Sequence, residues 1–93
     1  MLMEARIRRE LDEARKAPLS RMGKVRRLLR LSRRTRALAE HLADLGFQEF
    51  HRNRDSRSKR FWRTAANLLA LADVARLLAR RELQEARVSR GGS

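Results

Sequence analysis

At 93 residues the chain is one small domain, near the lower end of what a single apolar core supports. Its 24 Lys+Arg against 11 Asp+Glu give a formal net charge of +13, an imbalance that a compact protein ordinarily meets with a polyanion partner. The absence of cysteine excludes a disulfide framework and a thiolate metal site, and no run has the length of a membrane span or a signal-peptide core, so a cytoplasmic protein is expected, associated with the nucleoid if the polyanion is DNA.

Residues 2–17 are expected to be helical. Met3, Ile7, Leu11 and Ala14 recur at spacings of four, four and three and form one narrow apolar stripe. Glu4/Arg8, Arg6/Glu10, Arg9/Glu13 and Asp12/Lys16 stand four apart with opposite charge, worth about 0.2–0.5 kcal/mol each on a helix surface. Pro18 ends the helix. A stripe this narrow packs by one edge on the rest of the chain, or on a second chain.

Ser20 is the expected N-cap of a second helix over 21–31, with Met22, Val25, Leu28 and Leu29 inward. Ser32 is the expected cap of a third over 33–45, with Leu38, Leu42 and Leu45 inward and Gly46 as a left-handed C-terminal stop. Outward on it lie Arg33, Arg34, Arg36, Ala37, Glu40, His41 and Asp44. A basic first turn opposes the helix dipole, and makes sense where a phosphate lies against it.

Residues 47–52 and 59–63 are expected as two strands, holding all four aromatics, Phe47, Phe50, Phe61 and Trp62. Asn53, Asp55, Ser56 and Ser58 between them are turn formers. Phe61 and Trp62, adjacent on a strand, would face opposite ways. Thr64 is the expected cap of a last helix over 65–88. Of its first 15 residues 12 are apolar, leaving Asn67, Asp73 and Arg76, and the polar strip of Asp73, Arg76, Arg80 and Arg87 is narrow. A helix apolar nearly all round asks to be buried nearly all round, so a homodimer through Leu69, Ala72, Val74, Leu77 and Leu78 is expected. Residues 89–93 are expected to be a disordered tail.

The run from Lys24 to Thr35 resembles a helix-turn-helix: an apolar helix ends at Leu29-Arg-Leu-Ser32, and Ser32-x-x-Thr35 opens the next helix. Leu42-Ala-Asp-Leu-Gly-Phe47 is similar to the exit into a winged-helix wing. Asp55, Arg57, Lys59 and Thr64 resemble the wing of the multiple-antibiotic-resistance-regulator (MarR) type. The likeness covers residues 20 to about 70. It implies a mainly α winged helix-turn-helix with a two-stranded β-hairpin wing and a long C-terminal helix. Its parts would be an N-terminal helix over 1–18, the motif and wing over 20–64, and a dimerisation helix over 65–88. It further implies that Arg57, oriented by Asp55, lies at the minor groove, with Arg33, Arg34 and Arg36 in the major groove.

The charge pattern favours the same elements. No acidic residue occurs between Glu13 and Glu40, while Arg15, Lys16, Arg21, Lys24, Arg26, Arg27, Arg30, Arg33, Arg34 and Arg36 do. Arg52, Arg54, Arg57, Lys59, Arg60 and Arg63 follow. The expected DNA contacts are therefore Arg21, Lys24, Arg33, Arg34, Arg36, Ala37, His41, Arg52, Arg54, Arg57, Lys59 and Arg60. The arginine-to-lysine ratio of 21 to 3 suits bidentate phosphate contacts, although codon bias gives the same skew.

His41 and His51 are the only imidazoles and neither has a second ligand at metal spacing. No Ser or Thr lies in a nucleophile motif and no glycine loop could cradle a phosphate, so neither enzyme chemistry nor a cofactor or metal is expected. The expected function is sequence-directed binding of double-stranded DNA, as in transcriptional control of a phage or plasmid type. Two alternatives use the same residues: an RNA-binding or nucleoprotein-assembly subunit that reads no bases, and an adaptor whose apolar last helix binds a different protein.

Overall fold

The computed structural model describes residues 2–91, which form three α-helices: α1 (Leu2–Lys16), α2 (Arg21–His51) and α3 (Asp55–Gly91). The second and third are about 46 and 55 Å long at 1.5 Å per residue. They run antiparallel as one hairpin, and α1 lies along one side of it. The molecule is a rod of 62 × 21 × 13 Å, with a radius of gyration of 16.5 Å where a globular chain of this length would have about 12 Å.

The punctuation between helices is local. Pro18 follows the end of α1, and the Ser20 side chain caps α2 by accepting from the Gly23 N–H at 3.1 Å. At the hairpin tip α2 closes in a Schellman arrangement. Asn53 takes φ 58°, a left-handed conformation that asparagine tolerates. The Arg54 N–H donates to the Glu49 carbonyl at 2.9 Å and the Asn53 N–H to the Phe50 carbonyl at 3.0 Å. Asp55 then opens α3, where its charge suits the helix dipole.

The expected wing is therefore absent. Among the described residues there is no strand, and the runs 47–52 and 59–63 belong almost wholly to α2 and α3. Turn formers at 53–58 do mark a chain reversal, but the reversal joins helices. The helices expected over 21–31 and 33–45 are one continuous α2, and the last helix begins at Asp55, ten residues before the expected start. A winged helix-turn-helix has no counterpart here. Neither Ser32 nor Thr64 is a cap, since both are buried within helices. Residues 92 and 93 of the expected tail lie outside the described residues.

What holds the hairpin is a seam of small side chains. On α2 the buried positions Val25, Leu28, Ser32, Thr35, Ala39, Leu42 and Gly46 alternate in steps of three and four. On α3 Ala65, Leu68, Ala72, Ala75 and Ala79 do the same, and Ser58 continues the register. This is the 3.5-residue repeat of an antiparallel coiled coil. Residues this small let helix axes approach to near the lower end of the usual range, about 8 Å. The Ser32 hydroxyl accordingly donates to the Ala72 carbonyl on the opposite helix at 2.8 Å. Ala72 is therefore fully enclosed inside the hairpin and is not the dimer contact expected of it; Leu78 likewise packs on the cluster of Ala14, Val25, Leu28 and Ala79. Leu69, Val74 and Leu77 of the same expectation are exposed.

Helix α1 uses its narrow stripe as expected, packing by one edge. Ile7 and Ala14 are buried and Leu11 is partly so, against Leu31 and Leu42 on one side and Leu68 and Ala79 on the other. Polar contacts flank the stripe: Glu10 with Arg34 at 2.8 Å, Glu13 with Arg27 at 3.8 Å, and Asn67 donating to Glu4 at 3.2 Å. Glu10 and Glu13 thus pair across to α2 rather than four residues along their own helix.

Gly46 has no positive φ and stops no helix. It makes room for the only tryptophan, since a Cβ there would lie 2.5 Å from Trp62 Nε1 and 2.6 Å from its Cδ1. Gly46→Ala gains about 0.8–1.0 kcal/mol of helix propensity. It must also displace a rigid indole, and overpacking costs about 1–3 kcal/mol. A net loss of roughly 1 kcal/mol is expected, seen as a lower urea midpoint together with a red-shifted Trp62 emission; unchanged fluorescence would contradict the contact.

Candidate nucleic-acid interface

Helical pitch and ion pairing sort the arginines. On α2, Arg26, Arg30 and Arg33 are exposed and make no ion pair among the described residues, while their neighbours Arg27 and Arg34 are held by Glu13 and Glu10 of α1. The five line the outer edge of α2 and the groove between α1 and α2, a cavity of about 440 Å³ walled by Arg26, Arg27, Arg30 and Arg34 with Glu10 and Glu13. Glutamates at one wall use up two of the guanidinium groups and leave the other three to solvent.

The second group surrounds the hairpin tip. Arg52 follows the last turn of α2, Arg54 is paired with Glu49 at 3.4 Å, and Arg57 and Arg60 border a groove of about 370 Å³ floored by Leu42 and Phe61. Lys59 and Arg63 are exposed on the other side of α3. Asp55 makes no ion pair with Arg57, so the orienting role given to it by the wing resemblance does not occur; it serves the start of α3.

The remaining expected contacts divide. Ala37 and His41 lie exposed on the outer edge of α2 between the two groups. Arg36 is turned the other way and pairs with Asp73 of α3 at 3.1 Å. Arg21 is paired with Glu82 at 3.5 Å, and Lys24 is half-buried in a crevice that also holds Arg15, Arg81 and Glu85. The twelve residues therefore do not form one surface. Arg26 and Arg30, outside that set, belong to the strongest cluster. The signal for them is their spacing of four with Arg33 or Arg34 next in line, which runs along one side of a helix continuing through Ser32.

Arg30 and Arg52 are 22 residues apart, about 33 Å along the axis, and differ by only about 40° in helical angle. The intervening length carries Glu40, Asp44 and Glu49 and no arginine beyond Arg36. The first cationic group and Arg52, the α2-end member of the tip group, thus stand along one helix, separated by a weakly acidic stretch.

No protein-family model matches the chain, and no curated protein or solved structure is similar to it. No helix of the described residues is long and apolar enough to cross a membrane, and among them no three His, Cys, Asp or Glu side chains gather as a metal site.

Proposed function

We propose that this protein binds double-stranded DNA through the phosphate backbone, as a rod laid lengthwise on the duplex, and reads no bases. The observation that carries this is the separation of Arg30, in the first arginine group, from Arg52, where the tip group begins, about 33 Å along α2. A duplex presents the same face once per helical turn, about 34–36 Å. The proximal group would meet the backbone at one turn, and Arg52 with its tip neighbours at the next.

Cross-section argues against base reading. The body is 21 × 13 Å across its Cα atoms, wider than the roughly 12 Å major groove that admits a single helix. Arg33, Arg34 and Arg36 sit in the middle of a long helix and flank no free helix end. Contacts of this kind position a protein but carry no sequence information. A role in packaging or nucleoprotein assembly follows, rather than choice of an operator.

With six to eight phosphates neutralised, log K against log salt is expected to fall with a slope of roughly −5 to −7. Unrelated DNA duplexes of equal length are expected to bind with closely similar affinity and slope. A strong preference for one sequence in a random pool would overturn the backbone-only account, and a flat salt dependence would overturn nucleic-acid binding itself. Tight binding of structured RNA with weak binding of DNA would transfer the same surface to RNA.

A further inference from the structure

Among the described residues, the first arginine group meets carboxylates only from α1. Glu10 Oε2 stands 2.8 Å from Arg34 Nη2, and Glu13 Oε2 stands 3.8 Å from Arg27 Nη2. Both acids have an arginine four residues earlier on their own helix, Arg6 and Arg9, and both turn to α2 instead.

Helical angle explains which arginines are taken. At 100° per residue, Arg26 and Arg33 lie about 40° and 60° to one side of Arg30, and Arg34 and Arg27 about 40° and 60° to the other. Leu31, which packs against Ile7 of α1, lies about 100° round on that second side. Docking of α1 through Ile7, Leu11 and Ala14 therefore lays its carboxylates along the side of Arg27 and Arg34. The side of Arg26 and Arg33 stays open. A carboxylate offers a guanidinium the same pair of acceptor oxygens that a phosphate does. An arginine that already holds one only exchanges anions on meeting a phosphate, so it adds little to the counterion release that drives binding.

We propose that α1 is an internal competitor for phosphate. Glu10 and Glu13 occupy Arg34 and Arg27, and thereby limit the first group to Arg26, Arg30 and Arg33. The inference rests on the backbone-binding reading above and adds a restraint built into the same surface. Both bridges lie at the surface, with the Arg34 and Arg27 side chains 59% and 43% exposed. The guanidinium groups are thus within reach of a duplex once the carboxylates are gone. Such a restraint matters for a protein of net charge +13 that reads no bases. Each further phosphate contact multiplies affinity about five-fold at about 0.15 M salt, and slows departure from a site of no special sequence. Two masked arginines keep the rod exchangeable.

Salt titration of duplex binding by the whole chain, on about 16 base pairs, tests this with two paired variants. Glu10→Gln with Glu13→Gln keeps side-chain length and frees both guanidinium groups. Exposed bridges contribute little to stability, so helical circular dichroism should be unchanged. The slope of log K against log salt is expected to be steeper than that of the natural chain by roughly 1.8. Affinity is expected to rise about 30-fold at about 0.15 M salt, which is that slope change converted. Glu40→Gln with Asp44→Asn is the control, since both acids are exposed on the outer edge of α2 and pair with no arginine among the described residues. That variant gains the same two charges but no new phosphate contact, so its slope should match the natural chain's. A steeper slope shared equally by both variants, or a natural slope for Glu10→Gln with Glu13→Gln, would overturn the masking and leave DNA binding in place. Salt-independent binding by all three proteins would overturn the DNA reading, and the masking with it.

Discussion

Leu68→Ala is expected to lower stability by about 2–5 kcal/mol, the range for a leucine removed from a site that cannot collapse. Leu68 is wholly enclosed and joins the three helices, lying in one cluster with Ile7 of α1, Leu31, Ala39 and Leu42 of α2 and Ala65 of its own helix. A domain of this size is stable by about 5–14 kcal/mol in all. The loss is therefore a large share of what keeps the fold together. Leu77→Ala on the same helix is the control, since Leu77 is 59% exposed and its loss should stay within about 0.5 kcal/mol. Urea titration measures both as a midpoint shift at unchanged slope. Equal losses at the two positions would mean that α3 does not present the small-residue seam to α2.

The contrast between those two leucines shows where sequence patterning stops. Residues 65–79 are apolar on nearly every side, so periodicity alone does not say which side is inside. Leucine is the larger hydrophobe, and a dimer through Leu69, Val74 and Leu77 follows naturally from it. The structure instead buries Ala65, Ala72, Ala75 and Ala79, because close approach of two helices gains more than bulk at the contact.

The tip misleads for a similar reason. Asn53, Asp55 and Ser56 mark a reversal, and there is one, but such residues are equally at home in a Schellman turn between helices. Phe47, Phe50, Phe61 and Trp62 favour strands by propensity, a preference that tertiary context overrides. The decisive signal is spacing: Ala39, Leu42 and Gly46 on one arm and Ser58, Ala65 and Leu68 on the other continue the seam through the supposed wing. Ser32 and Gly46, which look like a cap and a stop, are the small residues that this seam requires. Ser20, Pro18 and the stripe of α1 were legible because their signals are local. The basic character of the candidate surface was legible too, but its division into paired and unpaired arginines depends on Glu10 and Glu13 arriving from α1.

Arg26→Ala, Arg30→Ala and Arg33→Ala together are expected to weaken duplex binding about 100-fold at physiological salt and to flatten the salt slope by roughly 2.7, which is 0.9 for each lost phosphate contact. All three side chains are exposed and make no ion pair among the described residues, so helicity and urea midpoint should hardly change. Their neighbours provide a sharper comparison. Arg34→Ala frees the Glu10 carboxylate beside the groove and adds a negative charge to the face proposed to meet phosphate. Its effect should therefore exceed that of a surface arginine with no partner.

The one-turn separation of the two arginine groups is tested most directly by the salt slope on DNA of different lengths. A duplex of about 8 base pairs is shorter than one turn of 10–10.5 base pairs and can engage only one group, whereas about 16 base pairs spans both. The expected slope steepens from roughly −3 on the short duplex to roughly −6 on the long one, and the variant lacking Arg26, Arg30 and Arg33 stays near −3 on both. An identical slope for the natural chain at both lengths would contradict a rod that bridges successive turns.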